Sequence, residues 1–233
     1  MKPLPEVIVQ NLGLIDYKEA WDIQEQYFKS AIDCKIARRN DDSLPIPQNY
    51  LLFCEHPNVF TIGKSGNEDH LLLSQKELLS NDTSYYKINR GGDITYHGPG
   101  QLVVYPILDL EQFFTDIHKY MRFLEQVVIN TLSHFKIDSG RIEGMTGVWV
   151  DYRKNTPRKI CAMGVKSSRW VTMHGIGFNI NTDLSFFSQI VPCGIEDKAV
   201  TSLQKELGVE VDLSAVEKRV LREFQALFNF DIK

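Results

Sequence analysis

The 233-residue chain reads as an α+β protein in which a mixed, largely antiparallel sheet is flanked by helices. Three observations carry this reading. Two long segments, 16–39 and 116–135, repeat apolar residues at helical spacing. Short apolar runs of strand length lie around and between them. The two kinds of element do not alternate in the strict βαβ rhythm that a parallel sheet needs. No repeat, low-complexity tract or linker interrupts the pattern, so one domain is expected over 1–233.

Residues 7–9 (Val-Ile-Val) form a short strand candidate. Asp16 is placed to cap the first long helix, whose stripe is Ala20, Ile23, Tyr27, Phe28, Ala31 and Ile32. Segment 50–55 is almost continuously apolar, as in a strand buried on both faces, and 59–63 starts another strand. Ser74 caps a short helix to Leu79. Strands are expected at 85–88, 102–108 and 147–150. The second long helix carries Ile117, Tyr120, Met121, Leu124, Val127, Val128 and Leu132 on one stripe. A charged turn at 154–158 precedes a strand pair, 159–165 and 170–180, turning near 166–169. Segment 183–190 reads as a short helix. Thr201 caps one more helical turn, and 214–228 is the terminal helix.

The stretch that organises the chain is Arg90-Gly91-Gly92-Asp93-Ile94-Thr95-Tyr96-His97-Gly98-Pro99-Gly100-Gln101. Glycines let a ligand approach the main chain, and strands on either side would hold the loop rigidly, a common design for a binding site. A tight structural turn is the plainer reading of a lone Gly-Gly. Arg, Thr, His and Gln together with four glycines favour a site.

Composition narrows the function. A net charge of −4 gives no general field for nucleic acid. No apolar run approaches membrane-spanning length, and the first residues lack a signal peptide's apolar core. Cys34, Cys54, Cys161 and Cys193 form no Cys-x-x-Cys pair, so a reducing, cytoplasmic setting is expected. No metal-ligand spacing and no Walker loop occur.

Cys193 stands apart in Pro192-Cys193-Gly194, outside any periodic pattern, whereas Cys34 and Cys54 read as core filler. A thiol is mostly protonated at neutral pH, so a nucleophilic role needs an activator. His97, His174 and Lys159 are the candidates. A Cys–His pair is the commoner arrangement, and spacing does not choose among the three. The run 153–170 holds Arg153, Lys154, Arg158, Lys159, Lys166 and Arg169 and no acid, which suits a docking patch for an acidic partner or a solvated hairpin.

Four blocks then give the chain a resemblance to the lipoyl(octanoyl) transferases of lipoate synthesis. They are the glycine-rich stretch, Lys159-Ile160-Cys161-Ala162-Met163-Gly164, His174-Gly175-Ile176-Gly177-Phe178-Asn179-Ile180-Asn181, and Val191-Pro192-Cys193-Gly194-Ile195. Asp93 stands where many members have Gln, and Gly177-Phe178 where Ala-Leu is common. The resemblance implies a biotin/lipoate ligase-type catalytic domain. It implies transfer of an octanoyl or lipoyl group from acyl carrier protein to a lysine of lipoyl domains, in 2-oxo acid dehydrogenases and the glycine cleavage H protein, by a monomer without ATP, metal or other cofactor. It assigns Cys193 as the nucleophile forming an acyl-thioester and Lys159 as its activating partner. The acyl pocket would be lined by Arg90, Gly91, Gly92, Asp93, Ile94, Thr95, Tyr96, His97, Ala162, Met163, Gly164, Gly175, Ile176 and Gly177. The rivals are an ATP-dependent lipoate–protein ligase of the same fold, a cysteine thioesterase or amidase, and an inactive acyl-binding module.

Overall fold

In a computed structural model that describes residues 3–191 and 199–233, the chain opens on strand β1 (Glu6–Leu14). Asp16 caps helix α1 (Tyr17–Arg38), its carboxylate accepting from the amides of Lys18 and Glu19, two donors that a helix start leaves without intrahelical partners. Strands β2 (Asn49–Glu55) and β3 (Val59–Ile62) follow, then helix α2 (Gln75–Ser80), where Ser74 and Glu77 form a reciprocal capping box. After β4 (Ser84–Lys87), the glycine-rich stretch itself contains β5 (Ile94–His97), which had not been expected; the flanking glycines mask its alternation. Strand β6 (Gln101–Ile107) leads to helix α3 (Ile117–His134), capped by Asp116. Next come β7 (Ser139–Ile142), β8 (Met145–Val150), β9 (Arg158–Ser168) and β10 (Val171–Asn179). The chain ends with β11 (Ala199–Val200), α4 (Leu203–Leu207), α5 (Leu213–Phe228) and β12 (Asp231–Ile232).

The main sheet runs β12-β1-β2-β6-β10-β9-β8-β7, with β11 beside β9. β1 is parallel to both β12 and β2, and β11 is parallel to β9, while every neighbour from β2 through β7 is antiparallel. A second sheet, β4-β3-β5, lies apart. The mixed, largely antiparallel class is thus the observed one.

Four local expectations need correction. The second segment of the predicted hairpin begins at Val171, because Arg169 and Trp170 form a two-residue turn with positive φ, which matches strand twist. Leu184–Gln189 is a 3₁₀ turn capped by Asp183. Ser202 rather than Thr201 caps α4. Strand β7 pairs with β8 and was missed, since Ser-Gly-Arg-Ile shows no apolar period.

Alternation in the central strands builds a core on each face. Leu51 and Phe53 of β2, with Leu102 and Val104 of β6, pack against α3 and α5. Leu52 and Cys54, with Val103, Tyr105 and Ile107, pack against Ala20, Phe28 and Ala31 of α1. Both faces of β2 are therefore covered, as its continuous apolar run predicts.

One buried carboxylate ties α3 to the β7–β8 edge. Glu125 is fully buried and receives Arg122 at 2.9 Å, Arg141 at 2.7 Å and the Gly147 amide at 3.2 Å. Removing it strands a buried amide and two arginines. Glu125→Ala is expected to lower stability in chemical denaturation by about 2–4 kcal/mol, whereas Arg122→Ala, which deletes a half-exposed partner, costs less than about 1 kcal/mol.

Candidate active site

Strand β9 outruns its neighbour. β8 pairs with it only through Cys161, so the edge from Ala162 onward needs another partner. The glycine-rich loop supplies one: the Gly91 amide donates to Val165 O at 2.9 Å. Gly164 makes this approach possible, because a Cβ there would lie 2.6 Å from Gly91 O. Between the loop, β9, β10 and the start of α1 lies a cavity of about 420 Å³, a size typical of small-molecule sites.

Arg90, Gly91, Gly92, Asp93, Ile94, Thr95, His97, Ala162, Met163, Gly164, Gly175, Ile176 and Gly177 all line it, together with Lys159. Tyr96 does not. Alternation along β5 turns it to the other face, where it is fully buried, donates to Asn58 Oδ1 at 2.8 Å and stacks on Phe186 at 4.7 Å. Tyr17, Tyr105, Met121, Trp149 and the segment 144–146 also line the cavity and were not anticipated. Tyr17 and Tyr105 look like ordinary core residues in sequence; only Glu143-Gly144-Met145-Thr146-Gly147, with its two glycines, carried a visible signal.

Lys159, the second residue of β9, lies opposite Trp149, and its ammonium lies 4.6 Å from the Trp149 ring centroid. Gly147, at φ +123°, sits beneath it: a Cβ there would be 3.5 Å from Lys159 Cε and 2.6 Å from Cys161 O. On the other side, β11 sets Val200 against Lys159, and the Thr201 amide donates to Lys159 O at 2.9 Å. Cys193, with Pro192 and Gly194, lies outside the described residues. The described chain before it is held by the Val191 amide on His70 O at 2.9 Å. His70 in turn bonds Asp93 Oδ2 at 2.6 Å, which joins this strap to the glycine-rich loop.

Arg90 is buried against Thr61, donating to Thr61 O at 2.7 Å and to Thr61 Oγ1 at 3.1 Å. A chain of amides orients His97. Asn179 donates to Thr201 O, Gln101 donates to Asn179 Oδ1, and Gln101 Oε1 is left to accept from His97 Nδ1 at 2.6 Å. This network assigns the His97 lone pair to Nε2. His56 donates to Ile15 O, so its Nε2 accepts from Tyr105 Oη at 2.8 Å.

The other thiols and the basic run take plain roles. Cys161 is fully buried in the core, and burial holds its thiol well above the usual range. Cys54 is likewise buried, and Cys34 donates to Pro45 O at the end of α1. Arg158 is bound on both sides, by Glu206 and Asp151, while Lys154 joins Asp151 and Lys166 joins Glu25. The run 153–170 is therefore not a uniform docking patch; Arg153 and Arg169 are its exposed cations outside these pairs. Among the described residues no cluster of His, Cys, Asp or Glu could hold a metal ion, and no helix is long and apolar enough to cross a membrane.

Three histidines in and beside the cavity are neutral. Burial, with neighbouring Arg90 and His56, pushes His97 down to about 3. Burial pushes His174 to about 3, aided by Arg90 and Lys166, and His56 to about 4. Each folded value lies below that of the unfolded chain, so the folded state binds fewer protons in acid. Stability is then full above the unfolded value of about 6.5 and declines as pH falls toward 4. Calorimetric unfolding at pH 5 in buffers of different ionisation enthalpy is expected to register uptake of about three protons from these groups.

The family described as the lipoyl protein ligase A/B catalytic domain matches residues 16–225. An octanoyltransferase of Cytophaga hutchinsonii is 56% identical, over 97% of this chain and 94% of its own length. One from Christiangramia forsetii is 57% identical over 98% of each, and one from Bacteroides fragilis is 47% identical over 95% and 97%. Among solved structures, the bipartite lipoate protein ligase of Thermoplasma acidophilum superposes with a TM-score of 0.71 at 17% identity, covering 98% of this chain and 86% of that one. Lipoate-protein ligase A bound with ATP gives 0.67 at 16%, covering 99% and 87%; at such identities the likeness establishes the fold alone. By family match and full-length identity, the chain belongs to the lipoyl protein ligase A/B catalytic-domain family and, within it, to the octanoyltransferases.

Proposed function

We propose that the protein transfers an octanoyl group from acyl carrier protein to a specific lysine of lipoyl domains and of the glycine cleavage H protein, through an acyl-thioester on Cys193. The observation that carries this reading is the position of Lys159 on the wall of the same cavity that the expected acyl-pocket residues line. The anchored flanks of the Cys193 segment support it, with Val200 paired to Lys159 and Val191 tied to the strap that reaches Asp93.

The packing of Lys159 on Trp149 favours the ammonium form, because the ring face attracts a cation. Lys159 then acts first as a cation beside the Cys193 thiolate, rather than as a neutral amine awaiting a proton. The thiolate attacks the carrier thioester, the carrier's thiolate leaves and takes a proton from Lys159, and octanoyl remains on Cys193. The neutral amine of the acceptor lysine attacks the new thioester. An amide forms, the Cys193–acyl bond breaks, and the proton lost by the amine returns to the Lys159–Cys193 pair. Thioester to amide is downhill, so neither ATP nor a metal or other cofactor is required. The cavity supplies orientation and burial, each buried methylene contributing about 0.8 kcal/mol. Arg153 and Arg169 are suited to meet an acidic carrier, and the reaction is assigned to a monomer in the cytoplasm.

Incubation with octanoyl-acyl carrier protein, without ATP or acceptor, is expected to give a hydroxylamine-labile octanoyl adduct on Cys193 by peptide mass spectrometry. Cys193→Ala should abolish it, and Lys159→Ala should slow it by at least about 10²-fold. Modification of a lipoyl domain only when ATP and free octanoate are supplied would instead make the protein a ligase.

A further inference from the structure

The two ends of the cavity differ in chemistry. At the Lys159 end, Gly144 and Thr146 are exposed, so this end is open. Register sets Gly177 opposite Ala162 and His174 opposite Val165, three and six residues along β9 from Lys159. There the wall is closed: Tyr17, Tyr105, His97 and His174 are each at least 92% buried. An acyl chain entering from Lys159 would meet hydrocarbon first and this closed end last.

The closed end is polar, which a pocket built only for a hydrocarbon tail does not need. The Tyr105 proton is committed to His56. Tyr17 stacks on His97 at 5.9 Å and 13° and brings a hydroxyl donor to the same cavity wall. His97 has Nδ1 engaged by Gln101, which leaves the lone pair on Nε2. Neither ring nitrogen of His174 has a partner among the described residues, and His174 sits at φ +59°, a conformation uncommon for a residue with a Cβ. Its amide is pinned there by Gln24 Oε1 at 3.0 Å. A donor, a lone pair and an unpartnered imidazole at one end of a cavity satisfy the polar requirement for an ordered water, which takes two to four such partners.

We propose that the closed end of the cavity is a polar stop, in which Tyr17, His97 and His174 hold water and so set the upper limit of acyl-chain length. This rests on the acyl-pocket reading above. A chain that fits short of the stop gains from burial of each methylene. A longer chain displaces the water without replacing its hydrogen bonds and loses affinity. A chain of the longer size that ends in a hydroxyl replaces those bonds. Gly177 keeps the passage open on the way, since a Cβ there would press to 3.1 Å from Gln101 Oε1 and 3.3 Å from His97 Cε1.

The test is the affinity of the full chain, by calorimetry, for two acids of equal size: nonanoic acid and ω-hydroxyoctanoic acid. The hydroxy acid is expected to bind about tenfold more tightly, the worth of about one hydrogen bond, although it is the less apolar of the two. Tyr17→Phe should remove most of that ratio while improving the binding of decanoic relative to octanoic acid. Tighter binding of nonanoic acid by the unaltered protein, a ratio unchanged in Tyr17→Phe, or no binding of any of these acids would overturn the proposal. The comparison of two ligands on unaltered protein stands even if the variant folds poorly. Octanoyl transfer from the carrier is measured separately. Transfer without the hydroxyl effect overturns the stop alone, and the hydroxyl effect without transfer overturns the reaction assigned above.

Discussion

An eleven-residue strand beside a six-residue one is the constraint on which the site depends. β9 extends well past the last residue that β8 can pair, and its backbone groups beyond Cys161 must find partners elsewhere. The chain answers with the glycine-rich loop, bound through Gly91 to Val165. A loop that completes a sheet edge in this way cannot pack as closely as a strand with side chains would, and the space left between is the cavity. Substituting the glycines at the crossing would close it, because Gly164 already lies within a Cβ's reach of Gly91 O.

The same strand gathers the Lys159 end of the cavity. Lys159 sits where two strands meet β9: β8, with Trp149 opposite and the Gly147 bend beneath the side chain, and β11, with Val200. Each is anchored from farther away. Gly147 hangs on Glu125 of α3, and β11 is held by Thr201, whose hydroxyl bonds Glu206, itself paired with Arg158. Arg158, one residue before Lys159, therefore acts within the fold, and its charge is matched by the two carboxylates around it. A run of basic residues in sequence says little about free surface charge until the acids that face it are known.

The interior beyond Lys159 is more polar than its burial suggests. Gln24, His56, His97, Gln101, His174 and Asn179 are all buried. Most are joined in donor–acceptor chains that give His56 and His97 each a defined tautomer, and burial keeps all three imidazoles neutral. Burying a neutral, bonded imidazole is far less costly than burying its cation, so the arrangement is stable at neutral pH and grows costly in acid. It also shows why polar residues in the chain's most apolar strands are not exceptions to the core pattern. They form a second, hydrogen-bonded core around the cavity, on the α1 face of the sheet.

The sequence by itself determined the fold class, the two long helices with the Asp16 cap of the first, the doubly buried β2, and the glycine-rich stretch that lines the cavity. It did so because periodicity, capping chemistry and glycine content are local and act over a few residues. The motif blocks also named more than half of the cavity wall. Tyr96 faces away from the cavity, and the two-residue alternation that turns it there is hard to read in a four-residue strand set among glycines. Tyr17, Tyr105, Trp149 and Met121 were invisible because they reach the cavity from elements far away in sequence and look like ordinary core. Only the tertiary structure decided the pairing of β9 with its loop, the neutrality of the histidines and the internal use of Arg158. Each depends on groups that meet from distant parts of the chain, and neither burial nor charge matching exists until they do.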